Sequence, residues 1–272
     1  MSLFRRNCQN LWFGLFQATS VSVVAVGSGE DAGVSSRGRS MVAELSDVMR
    51  ARGYAPTSPL VVDISDDAVW FASEVGEGVG FTRSVIRIDI GWLPDGSAIV
   101  NGEVALMSDE VAEVLRAVPQ TAELRGAGAD YKFHRIVDGQ PFIDFPDAEA
   151  RDRAPRVTRA EDVAIAADWL MRKTAGPAVD WLADRDSITK LVEVARTPLS
   201  GGVSVRVDPM RFRAIVVLCI LNGSFKEAAA LMAEHLRRDY SQVSMESRER
   251  AAAFDVYLHQ SFPAYAAHER IH

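Results

Sequence analysis

The apolar residues of this chain change period near its middle. Ile86, Ile88 and Ile90 alternate with Arg87 and Asp89, whereas Val163, Ala166, Ala167 and Leu170 recur every three or four residues. Alternation marks a half-buried strand, and the longer spacing marks a helix with one apolar stripe. The switch falls within about 146–158. A chain in this order is expected to fold as α+β: an N-terminal antiparallel sheet with one or two helices, followed by a C-terminal helical half of about five to six helices. The expected units are an N-terminal extension at 1–39, a sheet half at 40–146 and a helical half at 147–272 that can pack on the sheet as one unit.

The first 39 residues are read as an extension outside the fold. Arg5 and Arg6 precede an apolar stretch at 11–26, and Gly27, Ser28 and Gly29 follow. That order resembles a secretory signal peptide. Asn10, Gln17, Thr19, Ser20 and Ser22 dilute the apolar centre, which is also too polar for a membrane span. Gly27 to Gly33 offers glycines but no helix starting at them, so a dinucleotide site is not expected. Ser35-Ser36-Arg37-Gly38-Arg39 reads as linker. The compartment expected is the cytoplasm, or the exterior if 1–27 acts as a signal.

At 272 residues the chain can bury a core without disulfide or metal staples. Cys219 lies in the apolar run at 215–221 and is expected to be a small buried residue. The formal net charge of −7 argues against a nucleic-acid partner, since phosphate binding calls for a basic excess. The basic stretch Arg151, Arg153, Arg156 and Arg159 is offset by Asp147, Glu149, Asp152 and Glu161.

In the sheet half, Ser40 is placed to cap a helix through Arg52, with Leu45, Val48 and Met49 on its apolar face. Strands are expected at 60–64, 68–75, 81–93, 98–107 and 131–137. Asp66-Asp67 and Pro94-Asp95-Gly96 are turn chemistry, so neighbouring strands should be hairpins. Gly76 to Gly80 precedes a strand pattern and reads as a hairpin connection, not a phosphate loop. A short helix at 109–118 has Ser108 as cap. Asp138-Gly139 is expected to turn a last hairpin between 133–136 and 141–143.

In the helical half, Thr158 and Glu161 have capping-box spacing, and the helix they start should run to Lys173. Gly176-Pro177 is expected to begin a second helix, with proline at its first position. Asp186 or Ser187 should cap a third through Arg196. The helix from Phe212 is apolar on nearly every side and must be buried. Ser224 to Glu227 has capping-box spacing for the next, and a last helix is expected at 245–259. The stretch 221–236, with Gly223-Ser224-Phe225-Lys226-Glu227-Ala228 at its centre, resembles one half of a tetratricopeptide-type helical hairpin. That resemblance implies a packed helix pair and a hint of partner binding. No second copy follows at the period such arrays need.

The chain ends His268-Glu269-Arg270-Ile271-His272, the H-E-x-x-H pattern of zinc hydrolases. On a helix the two histidines share a face, and Glu269 would polarise a metal-bound water. A catalytic zinc needs a third protein ligand, which nothing after His272 supplies, so it would have to come from a distant upstream residue such as His259 or His235. Trp70, Trp92, Tyr131 and His134 are the candidate lining of a small-ligand pocket on the sheet. There is no serine elbow, P-loop or paired-cysteine motif, and no cofactor is expected. The leading expectation is a non-enzymatic binding or regulatory protein, most simply a protein-interaction module. The alternatives are a zinc-dependent hydrolase using the C-terminal histidines and a small-ligand binding domain.

Overall fold

The computed structural model describes residues 31–54, 61–64, 68–93, 95–125, 135–143, 154–197, 208–238 and 245–269. Among these, β1 (Val61–Ile64), β2 (Ala68–Glu77), β3 (Arg83–Trp92), β4 (Ala98–Met107) and β5 (Ile136–Pro141) form an antiparallel sheet in sequential order. A two-residue strand, β6 (Arg156–Val157), pairs with the start of β4. In the β3–β4 register Ile86 faces Val104 and Ile90 faces Val100, which puts apolar side chains on one face. Arg87 faces Glu103 and Asp89 faces Asn101 on the other.

The β2–β3 connection runs through Gly78 and Gly80, as a hairpin should. Gly80 has φ +60, and a Cβ there would meet the Asn222 side chain at 2.1 Å, so the turn is seated against the helices. The expected turn at Asp138-Gly139 is absent. β5 passes straight through both residues, pairing Asp138 with Leu106 and Gly139 with Ala105. The glycine serves packing here: a Cβ at 139 would lie 2.3 Å from Glu103 Oε1.

Helix α1 (Asp31–Ala51) begins upstream of Ser40 and runs through the stretch expected as linker. Leu45 and Met49 bury its inner face. At its end Gly53 takes φ +93, while Gly53 N donates to Arg50 O and Tyr54 N to Met49 O. These paired bonds make a Schellman cap, which satisfies carbonyls the helix leaves open. Helix α2 (Asp109–Arg116) is capped by Ser108, whose Oγ accepts from Val111 N at 3.1 Å. A 3₁₀ turn (Gln120–Ala122) follows.

The second half is helical. Helix α3 (Ala160–Lys173) starts one residue later than its Thr158 signal. Asp162, not Glu161, reaches back to the amides of Thr158 and Arg159, and those bonds hold its carboxyl below the usual range. The expected break at Gly176-Pro177 does not occur. The chain widens into one π turn (Thr174–Ala178) and continues as α4 (Val179–Ala183). Proline lacks an N–H and crowds the carbonyl one turn back, and the wider turn accommodates both defects. So α3 and α4 form one rod.

Then come α5 (Ile188–Arg196, capped by Ser187), α6 (Pro209–Leu221), α7 (Phe225–Leu236), α8 (Arg248–Ser261, capped by Ser247) and α9 (Pro263–Glu269). With α3–α4 as one rod, the described second half has six helical rods, so the order read from the period change holds. Helix α6 is buried from Pro209 to Ile220, apart from partly exposed Met210. Gly223, at φ +74, ends it in a second Schellman cap, with Ser224 N donating to Cys219 O at 2.8 Å and Gly223 N to Ile220 O at 3.0 Å. The Ser224 side chain makes no capping bond to α7. Cys219 is buried, which pushes its thiol up to about 12.

One hydrophobic core takes in Ile88, Val104 and Leu106 from the sheet and Leu170, Ile215 and Leu218 from the helices. Among the described residues no helix is long and apolar enough to cross a membrane. The packing at Gly139 makes a specific prediction. Gly139→Ala drives a methyl into a carboxylate that Arg87 pins, and should lower unfolding free energy by about 1–3 kcal/mol. Gly176→Ala, with nothing within 4 Å of its new Cβ, should be neutral or stabilising by up to about 1 kcal/mol. Urea unfolding of the two variants beside the parent checks both signs.

Candidate functional site

Charged side chains are buried in three places, and each place joins separate elements. The first lies on the seam between sheet and helices. Asp138 stands on the helix-facing side of β5 and is 3% exposed. Arg185, in the turn between α4 and α5, donates from Nε to Asp138 Oδ2 at 2.6 Å. Its guanidinium also lies 4.0 Å from the centre of the Trp181 ring and donates to Trp181 O. Arg211, in the first turn of α6, places Nη1 3.7 Å from Asp138 Oδ1 and donates through Nη2 to Thr197 O. Asp208 caps α6 by accepting from Met210 N at 2.9 Å. Burial pushes the Asp208 carboxyl up, against the amide bond and the charge of Arg211.

Two carboxyls and two guanidiniums thus meet where β5, the α4–α5 turn and α6 converge. The buried donors Arg211 Nε and Trp181 Nε1 have no acceptor among the described residues. The pairing of Asp138 with Arg185 fixes the orientation of both side chains at the seam.

The second place is the opposite face of the sheet. Arg87 sits between Asp89, at 3.1 Å, and Glu103, at 3.2 Å. Burial works against the guanidinium charge, but Glu103 and Asp89 outweigh it and hold Arg87 above the usual arginine value. Burial pushes Glu103 up, opposed by Arg87. A carboxyl raised in the folded state favours folding most at low pH, and that contribution is lost as pH rises through its folded pKa.

The third place surrounds α6. Arg213 is fully buried and forms a bidentate pair with Glu246, Nη2 to Oε1 at 2.9 Å and Nε to Oε2 at 3.0 Å. Its Nη1 donates to Ala122 O at 2.5 Å, and its guanidinium lies 4.3 Å from the centre of the Phe254 ring. Two more bonds tie this region to the chain after α2: Arg125 N donates to Met245 O, just before α8, and Arg250 Nη1, in the first turn of α8, donates to Glu123 O.

The residues picked from sequence are spread over the fold. Trp70 lies in β2 opposite Asp89 in the register. Trp92 ends β3 and packs, half-buried, against the core. Tyr131, His134 and His272 lie outside the described residues. His268 is in α9, with its ring 6.3 Å from that of Phe225, and Glu269 is the last residue of the same helix. Among the described residues no three histidine, cysteine, aspartate or glutamate side chains are placed to hold a metal ion.

Sequence reading missed Asp138, Arg185 and Arg211 at the seam, and Arg213 with Glu246 around α6. The available signal was two arginines inside an otherwise apolar helix, a position that demands a buried counter-charge. Asp138 was hidden because Asp-Gly reads as a turn.

The fold and its buried ion pairs define an α+β protein in which a five-strand antiparallel meander and a helical half share one core. No protein-family model, curated protein or solved structure matches the chain. The seam gives a direct prediction. Asp138→Asn keeps the shape but leaves Arg185 and Arg211 without their shared carboxylate, so unfolding free energy should fall by about 3 kcal/mol. A change within about 0.5 kcal/mol, as at an exposed site, would show that the cluster carries no such weight.

Proposed function

We propose that this chain is a non-enzymatic binding or regulatory protein that engages a partner protein through the outer face of the α3–α4 rod. One observation carries the reading. Ile165 is 63% exposed and Val179 is 55% exposed, while Val163, Ala166, Ala167 and Leu170 bury the opposite face. Branched apolar side chains gain little from an exposed helix position, in propensity or in burial. A partner surface would give them burial. The exposed charged neighbours Arg172 on α3 and Asp180 on α4 would form a polar rim.

A photo-crosslinking side chain placed singly at 165 and at 179, in cells that make the protein, tests this. A discrete higher-mass adduct is expected at both positions and not at exposed Glu249. Ile165→Glu and Val179→Glu should each leave folding stability within about 0.5 kcal/mol, because neither side chain is buried, and should abolish the adduct at the other position. Absence of adducts at both positions contradicts the reading. Stoichiometric zinc in the purified protein, lost on His268→Ala, would favour the hydrolase alternative instead.

A further inference from the structure

His235 occupies the last turn of α7 and is 3% exposed. Its ring stacks on Phe212 with centres 4.2 Å apart and planes at 22°. Its Nε2 lies 3.4 Å from Glu246 Oε2. That carboxylate is already engaged on both oxygens by Arg213. The Arg238 guanidinium lies 5.3 Å from the centre of the Phe212 ring. Arg238 is in turn paired with Glu234, which also takes Arg196. Among the described residues, the charged groups around the imidazole include the Glu246 carboxylate, the Arg213 and Arg238 guanidiniums and, beyond Arg238, the Glu234 carboxylate that Arg196 shares.

A proton on His235 would place a second cation on a carboxylate that Arg213 already neutralises, inside the core. Burial pushes His235 below the ordinary histidine value, and Arg238 and Arg213 add to this, while Glu246 pulls the other way. A base lowered in the folded state takes its proton more readily once exposed. Its closed state is therefore at full strength above the ordinary histidine range and weakens as pH falls through that range. The groups that would be freed are few. The segment before α8 is joined to α6 through Glu246, and the end of α7 through His235.

We propose that His235, Glu246 and Arg213 form an acid-sensitive clasp: protonation of His235 releases the last turn of α7 and the segment 245–247 from α6 while the sheet stays folded. This is a local opening of the kind that amide exchange detects.

The test is hydrogen exchange by mass spectrometry on the full chain at about pH 7.5 and about pH 5, corrected for intrinsic exchange. Amide protection in peptides covering 231–238 and 245–250 should fall about tenfold at the lower pH. Peptides covering 85–92 in β3 should change less than about twofold. His235→Gln should remove the pH dependence. Equal protection at both pH values, or the same fall in His235→Gln, overturns the proposal. If His235→Gln does not fold, the wild-type ring is titrated by NMR. Proton uptake that coincides with lost protection supports the clasp. Uptake with protection unchanged, or a ring that stays neutral with protection intact, overturns it.

Discussion

A helix apolar on all sides must be surrounded, and α6 carries a guanidinium into that enclosed position. Arg213 is fully buried, so the rest of the helical half has to bring it a counter-charge. Glu246 does so from the chain entering α8. Ala122 O accepts from the same guanidinium, at the end of the link that follows α2. The Arg213 guanidinium also lies over the ring of Phe254 in α8. One side chain thereby fixes where α6, α8 and the link between α2 and β5 meet. Burial of Ile215, Val216, Val217 and Leu218 supplies the driving force, at roughly 2 kcal/mol for each aliphatic side chain. That term is non-directional. The bidentate pair supplies the direction.

The seam repeats the pattern with different elements. Asp138 belongs to β5, and its partners belong to the α4–α5 turn and to α6. Both ends of α6 are thereby tied: the N-terminal turn to the sheet through Arg211, and the C-terminal end to the β2–β3 hairpin, where Gly80 lies against Asn222. The polar groups buried along this helix specify register, while the apolar ones specify only that it be inside. This division explains why α6 can be apolar all round and still adopt one orientation.

The order of elements was legible because periodicity is a local property. Ile86, Ile88 and Ile90 needed only their immediate neighbours to be placed, and so did Val163, Ala166 and Leu170. Caps were legible where one side chain decides them, as at Ser108 and Ser187. Legibility failed where a residue answers to something distant. Gly139 is a glycine because Glu103 approaches it across the β4–β5 pair, so Asp138-Gly139 mimicked a turn. Gly176-Pro177 was read as the start of a separate helix, but the rod continues through a π turn, with Ala178 and Trp181 buried beyond it. Arg213 and Glu246 are 33 residues apart, and no local pattern joins them. The candidate site was least legible of all, because its charged residues come from β5, the α4–α5 turn and α6, and only the fold assembles them.

The most direct measurement is a double-mutant cycle on Arg213 and Glu246, using Arg213→Met, Glu246→Leu and the double variant in urea unfolding. Each single variant leaves a buried charge unpaired and should lose about 3 kcal/mol or more, whereas the double variant removes both charges and should recover a large part of that loss. A coupling energy of at least about 2 kcal/mol is the predicted result. Losses that simply add, with the double variant as unstable as the two singles together, would contradict the claim that this pair organises the helical half.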